Sequence, residues 1–332
     1  MEHVIEVSDL TKYYGDLLAV DHISFAVHEG EVFGFLGPNG AGKTTTQRML
    51  TTLLEPTEGR IAIFGHDLAR DAYPVKRRMG LVPEESNVYT ELTAWDNLMF
   101  TAQLYRVPRA ERAERARKLL AAFGLGEKQD VKVGDFSKGM RRRLSIAMAL
   151  IHRPSLLFLD EPTPGLDAQS TRAIRDLVRQ MNAEGTTIFL TTHQIEEANQ
   201  LCDRVAIINH GRIAAIDTPE RLKQTFQRVQ SVQVALEEPP ADSEPAGGLT
   251  SLPGVTTAVK MGDKWRLYTE DPSTLLPLLI DYARAHDLRV VSLNTLSPSL
   301  EDVFLEITGQ QVGTVRDVTQ EDKRRQRMGG GR

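Results

Sequence analysis

One cysteine, Cys202, stands in a chain of 332 residues, which excludes an internal disulfide and suits a reducing compartment. Long apolar runs are missing as well. A spanning helix needs about 18 or more unbroken apolar residues. The longest candidates here, such as Leu156-Leu157-Phe158-Leu159 and Leu275-Leu276-Pro277-Leu278-Leu279-Ile280, are the size of core segments. The opening residues, Met1-Glu2-His3-Val4-Ile5-Glu6, carry no basic n-region and no long apolar h-region. Strong charge bias is also absent: 40 Lys+Arg against 45 Asp+Glu leave a net charge of −5, with no global pull toward nucleic acid or acidic lipid. These absences predict a cytoplasmic chain that binds no nucleic acid and meets a membrane only through a partner.

What is present is concentrated in one loop, Gly37-Pro38-Asn39-Gly40-Ala41-Gly42-Lys43-Thr44-Thr45. It follows the apolar run Glu31-Val32-Phe33-Gly34-Phe35-Leu36 and precedes the helix-forming Gln47-Arg48-Met49-Leu50. Strand, glycine-rich turn and helix start are the context of a phosphate-binding loop. Glycines let successive backbone N–H groups converge on phosphate oxygens where a Cβ would block the approach. The helix start adds partial positive charge. Lys43 can reach the β- and γ-phosphates, and the Thr44 hydroxyl can ligate Mg²⁺.

The length allows one large α/β domain and a smaller one. Up to about Thr218 the chain alternates short β-rich runs (Val4 to Val7, Val20 to Val27, Val32 to Leu36, Ile61 to Phe64, Leu156 to Leu159, Thr187 to Leu190, Val205 to Asn209) with helical patterns. Helices are expected at Thr44 to Leu54, Ala94 to Tyr105, Arg109 to Phe123, Lys138 to Ile151, Ala168 to Ala183 and Ile195 to Leu201. Residues from about 86 to 153 are almost wholly helical, an insertion in the α/β core. The acidic, proline-rich stretch Glu237 to Pro245 reads as a loop or linker. Around it the order strand, short helix, strand, strand, helix, strand predicts a small ferredoxin-like α+β domain. The expected limits are 1–228 for the first domain, 229–309 for the second, and 310–332 for a polar, basic, disordered tail.

Further elements complete a nucleotide site. Leu156 to Leu159 reads as a buried strand ending in Asp160 and Glu161. Asp160 can hold Mg²⁺, and Glu161 then stands beside the γ-phosphate as candidate general base for a water. On its own this element also fits a strand running into a polar turn. His193 follows the strand Thr187 to Leu190, on the side where strand ends of open α/β sheets face a ligand crevice. Ser137 opens a helix at Ser137-Lys138-Gly139-Met140, either as a plain N-cap or as a hydroxyl and helix end offered to an anion. The chain has no second phosphate loop, so such an anion would belong to another subunit's ATP.

Over about residues 4 to 218 the sequence resembles the ATP-binding cassette (ABC) ATPases, with motifs in the family's order. Gly37 to Thr44 matches the Walker A loop, Leu156 to Glu161 the Walker B strand, Pro164-Gly165-Leu166-Asp167 the D-loop, and His193 the switch histidine. Ser137-Lys138-Gly139-Met140 is similar to the signature, usually Ser-Gly-Gly-Gln, and keeps its phosphate contacts Ser137 and Gly139. Tyr14 falls where the family stacks an aromatic on adenine, ahead of Tyr13. The Q-loop glutamine, a Mg²⁺ ligand in the family, appears as Glu84, which retains an oxygen donor and adds negative charge beside the metal. The resemblance implies a P-loop NTPase that hydrolyses Mg-ATP, closes head to tail with a second copy over two ATP molecules, and drives a separate integral membrane permease.

Ser297 to Gly309 resembles the ending of ABC-2 and daunorubicin-resistance-type exporter ATPases. It also reads plainly as a helix behind a serine cap, with Leu300, Val303, Phe304 and Ile307 on one apolar face. Export is therefore the leading expectation. The alternative is an ATP-dependent switch not coupled to transport, as in the family's translation and repair branches. Those branches carry two cassettes or long coiled coils, and this chain has neither.

Overall fold

The computed structural model describes residues 3–225, 230–237 and 245–308. The predicted tail and most of the acidic, proline-rich stretch lie outside the described residues. The chain divides into two compact units, Met1–Leu222 and Lys223–Arg332.

The first unit begins with a hairpin, β1 (His3–Tyr14) and β2 (Leu17–His28), followed by β3 (Val32–Leu36) and α1 (Lys43–Leu50). Next come β4 (Glu58–Ile63), β5 (His66–Asp67), α2 (Ala72–Arg78) and β6 (Met79–Val82). A helical stretch follows: α3 (Ala94–Leu104), α4 (Arg109–Ala122) and α5 (Lys138–Leu150). The chain then returns to the core as β7 (Leu156–Asp160), α6 (Ala168–Ala183), β8 (Thr187–Thr192), α7 (Ile195–Leu201), β9 (Arg204–Asn209) and β10 (Arg212–Asp217). Helix α8 (Pro219–Thr225) carries the boundary between the units.

Two sheets form this unit, one in the order β2-β1-β4-β5 and one in the order β10-β9-β3-β8-β7-β6. In the second, β9 to β6 run parallel and β10 closes the edge antiparallel. Strands β3, β7 and β8 are buried at every position, as expected for parallel strands covered on both faces. Phe25 of β2 packs on Phe33, Phe35 and Phe189, with centroids 5.5 to 6.2 Å apart, and so joins the two sheets. Full burial of each such ring contributes on the order of 1.5–3 kcal/mol.

Three local departures from the predicted elements have physical causes. Helix α1 stops at Leu50 rather than Leu54, because Thr52 turns to φ 60° and the N–H groups of Leu53 and Leu54 fold back onto the Arg48 carbonyl. Strand β1 runs past Val7 through a register shift, where Asp9 takes φ 49° and donates its N–H to Ser24 Oγ. That bulge breaks the alternation that marks a strand. Strand β6 lies outside the strands expected from the sequence; Gly80 sits in it because a Cβ there would lie 2.6 Å from the Ala149 carbonyl.

The second unit contains β11 (Gln230–Leu236), α9 (Pro245–Thr250), β12 (Val255–Met261), β13 (Lys264–Thr269), α10 (Pro272–Ala285), β14 (Val290–Leu296) and α11 (Leu300–Thr308). Its strands pair antiparallel in the order β12-β13-β11-β14. Each strand–helix–strand passage skips over one strand, which is the split βαβ arrangement of a ferredoxin-like sheet. Val232, Val234, Leu267, Leu275 and Leu279 form the core between sheet and helices.

Candidate active site

Strand β3 lies between β8 and β9, so the loop that leaves it emerges at the centre of the parallel sheet. Gly37 must be glycine, since a Cβ would lie 2.4 Å from the Ile208 carbonyl. Gly42 has φ 104° and would bring a Cβ within 2.7 Å of the Ala19 carbonyl. The loop is pinned by Gly37 N–H on Thr192 O (3.3 Å), Ala41 N–H on Pro38 O (3.2 Å) and Gly211 N–H on Ala41 O (3.0 Å). Gly42 caps α1 without a side chain, and the first turn, Lys43-Thr44-Thr45, holds no acidic residue. Its amides therefore lack an intrahelical partner and a side-chain acceptor at the cap, and the helix dipole adds to their field. This end of α1 suits an anion.

Lys43 is buried, with its Nζ donating to the carbonyls of Gly37 (2.8 Å) and Pro38 (3.2 Å). The same ammonium lies 3.4 Å from Glu161 Oε1. Glu161 is the first residue beyond β7 and takes φ 44°, a conformation that L residues rarely adopt. Its N–H bonds the Thr191 carbonyl at 3.1 Å. The other carboxylate oxygen meets His193 Nδ1 at 2.9 Å and the His193 N–H at 3.3 Å. Because β3, β8 and β7 are neighbours, Lys43, His193 and Glu161 arrive together from three consecutive strand ends. Asp160, also buried, accepts from Thr191 Oγ1 at 2.5 Å, and burial pushes its carboxyl above the usual range.

Of the other predicted site residues, Pro38 meets this cluster through its carbonyl on Lys43 Nζ, and Glu84 borders the same cleft as Glu161. Tyr14 ends β1 and is 45% exposed, with Lys12 Nζ 5.6 Å from its ring centre; Tyr13 is 40% exposed. Pro38 is half-buried, and Asn39 and Gly40 are exposed at the loop tip. Glu84, exposed beyond β6, borders a cleft of about 540 Å³ together with Lys138, Arg142, Glu161 and Gly165. Ser137 N-caps α5 by accepting the Met140 N–H at 3.2 Å. Gly139 packs against α6, where a Cβ would meet Ser170 Oγ at 2.4 Å, and Lys138 Nζ reaches the Pro164 carbonyl at 3.2 Å. Among the described residues, neither Tyr14, Ser137 nor Gly139 hydrogen-bonds Lys43, Glu161 or His193 of its own chain.

Three contributors carry no sequence signal of their own. Thr191 holds both Asp160 and the Glu161 N–H, and reads only as a strand residue. Glu197 is fully buried on α7 and accepts from Thr163 Oγ1 at 2.8 Å; burial raises its carboxyl pKa. In sequence it looks like an acidic residue near a helix start. Arg142, one of three successive arginines, donates to backbone carbonyls of two distant segments.

The chain matches the ABC transporter family model over residues 20–164. It also matches the model of the ATP-binding protein DrrA1-3-like C-terminal domain over residues 218–308. It is 40% identical to the daunorubicin/doxorubicin resistance ATP-binding protein DrrA of Streptomyces peucetius, covering 92% of both chains. To the Nod factor export ATP-binding protein I of Ralstonia nicotianae it is 36% identical, covering 93% of this chain and 95% of that protein. Among solved structures, the ATP-binding cassette MJ0796, dimeric in a post-hydrolysis state with ADP and Pi, superposes with a TM-score of 0.59 at 27% identity, covering 64% of this chain and 98% of that one. The motif geometry and these matches agree: the chain belongs to the ATP-binding proteins of ABC transporters, a family of P-loop ATP hydrolases.

Proposed function

We propose that this chain is the ATP-hydrolysing subunit of an ABC-2-type exporter, energising a separate integral membrane permease that carries drugs, lipids or polysaccharide. The observation that carries the reading is the meeting of Lys43, Glu161 and His193, in a chain whose C-terminal unit matches the DrrA-like domain. The named relatives in resistance and Nod factor export support it. Among the described residues no helix is long and apolar enough to cross a membrane. In this reading the permease supplies the membrane path and holds this subunit at the inner face.

In this reading the amides of Gly37 to Thr45 and the Lys43 ammonium cradle the ATP phosphates, and Tyr14 stacks on adenine, worth on the order of 1–3 kcal/mol. Thr44, Asp160 and Glu84 offer hydroxyl and carboxylate oxygens, a donor set that fits Mg²⁺. Among the described residues no cluster of His, Cys, Asp and Glu would hold a metal by itself. Mg²⁺ held by these residues would supply charge neutralisation for the transferred phosphoryl group. Glu161 accepts the proton of the attacking water, and His193 both orients Glu161 and hydrogen-bonds the γ-phosphate. Ser137 and Gly139 complete the ATP site of a second copy in a head-to-tail dimer, for which the dimeric MJ0796 structure is the support.

Turnover measured with Mg²⁺ and with chelator, in wild type and in Glu161→Gln, tests the chemistry. Hydrolysis should require Mg²⁺ and fall by about two to four orders of magnitude in Glu161→Gln. Nucleotide binding should survive through Lys43, Thr44 and Asp160. Undiminished turnover in the variant would remove Glu161 as the base. Copurification from native membranes tests coupling: a multi-helix permease that stimulates turnover is expected, and recovery of this chain without one would favour the uncoupled switch.

A further inference from the structure

Arg142 lies in α5, five residues beyond Ser137, and only 3% of it is exposed. Its guanidinium has five N–H donors in a fixed planar fork, and each finds a backbone carbonyl. Nε donates to Pro162 O at 3.0 Å. Nη1 donates to Pro83 O and to Glu84 O, the latter at 3.2 Å. Nη2 donates to Asp160 O at 2.6 Å and Glu161 O at 3.0 Å. No carboxylate pairs with it directly among the described residues, and burial pulls its pKa down to about 10.

A buried cation answered by carbonyls alone is a costly way to fill a core, where an apolar side chain of similar volume generally does as well or better. Packing therefore does not account for an arginine here. The five carbonyls are not scattered. They belong to two segments: residues 83–84, which carry the proposed metal ligand Glu84, and 160–162, which carry the proposed ligand Asp160 and base Glu161. Glu161 also holds a backbone angle, φ 44°, that persists only when its surroundings over-determine it. Arg142 bonds the carbonyls on both sides of that residue's own, as well as its own.

We propose that Arg142 is a positioning residue for hydrolysis, fixing the Asp160–Glu161–Pro162 turn and the Pro83–Glu84 segment in one register with the helix that Ser137 begins. The proposal rests on the reading of Glu161 as base. Without the five-point contact the turn relaxes, the Glu161 carboxylate leaves its place beside Lys43 and His193, and the chemical step slows. Phosphate binding does not, because the loop and Lys43 are held by other bonds.

The test measures fluorescent ATP-analogue affinity, kcat and KM on full-length Arg142→Gln, Arg142→Lys and Glu161→Gln. In Arg142→Gln kcat should fall by about ten- to a hundredfold, the scale of a misplaced catalytic group. Affinity and KM should stay within about threefold of wild type, since the binding contacts are untouched. Lysine restores charge but offers at most three donors on a flexible stem, so Arg142→Lys should remain about fivefold or more below wild type in kcat. A kcat within about twofold of wild type in either arginine variant would overturn the proposal. So would loss of nucleotide binding in both, which would make Arg142 a folding residue. If Glu161→Gln is as active as wild type, the base reading itself fails, a result separable from any outcome at Arg142.

Discussion

His193 Nδ1 lies 2.9 Å from Glu161 Oε2, while the other oxygen of the same carboxylate faces Lys43 at 3.4 Å. The carboxylate is thus held from both sides and cannot rotate freely. His193→Ala removes one of these holds, keeps the carboxylate itself and leaves it free to turn. Turnover should fall by about a hundredfold, as for loss of orientation at a reacting group. Nucleotide affinity should change little. Steady-state kinetics with a parallel binding titration would check this; unchanged kcat would make the contact structural only.

Ser137 caps its own helix, and it makes no contact with Lys43 of the same chain among the described residues. If it serves the partner's ATP, the defect of Ser137→Arg lies in the other subunit's site. Ser137→Arg and Lys43→Ala proteins should each be inactive alone. A mixed dimer keeps one site with intact Lys43 and intact Ser137, so mixing should restore partial turnover. Heterodimers that form without any recovery would reduce Ser137 to a cap.

The glycine-rich turn between β3 and α1 was legible because its residues are contiguous and each type answers a local backbone demand, as Gly42 does at φ 104°. The strand ending in Asp160-Glu161 was legible because a parallel strand buried on both faces is an unbroken apolar run. The ferredoxin-like order of the second unit followed from the sequence of strands and helices, borne out by the sheet order β12-β13-β11-β14. What stayed hidden is what tertiary structure alone brings together. Arg142 meets the Glu84 carbonyl across 58 positions, and Thr191 meets Asp160 across 31. No periodicity encodes either contact. The bulge at Asp9 and the early stop of α1 at Thr52 are single-residue backbone events that an average over a window erases.

His152 gives a pH test. Its ring stacks on Tyr105 with centres 3.8 Å apart, Nε2 donates to the Met79 carbonyl at 3.1 Å, and Nδ1 is buried without a partner among the described residues. Burial lowers its pKa, with nearby Arg115 adding to the effect. The unfolded chain therefore takes up this proton at higher pH than the folded one. Stability should be full above about pH 6.5 and decline as pH falls through that value, until the folded-state pKa is passed. Urea midpoints across this range should show a shallower decline for His152→Gln than for wild type. Equal slopes would mean that His152 titrates alike in both states.

The second unit holds its last helix by a buried charge. Asp302, with a side chain 1% exposed, pairs with Arg266 Nη2 at 2.8 Å and accepts from the Tyr268 hydroxyl at 3.0 Å. Its Oδ2 also accepts the Ser299 N–H at 2.8 Å and hydroxyl at 2.6 Å, while the Asp302 N–H returns to Ser299 Oγ at 3.2 Å. Arg266 Nε donates to Ser231 Oγ at 2.9 Å, so the pair ties β11 and β13 to the cap of α11. Asp302→Ala would strand a buried guanidinium and should cost about 3–5 kcal/mol. Replacing both partners, as Arg266→Met with Asp302→Leu, should recover much of that loss, because the penalty comes from the unpaired charge rather than from the missing bond. Trp265 lies beside Arg266 on β13 and reports on this unit once Trp95 is changed to Phe. Urea unfolding followed by its fluorescence would separate the cases. Equal losses in the single and double variants would place the stability in the Ser299 cap instead of the ion pair.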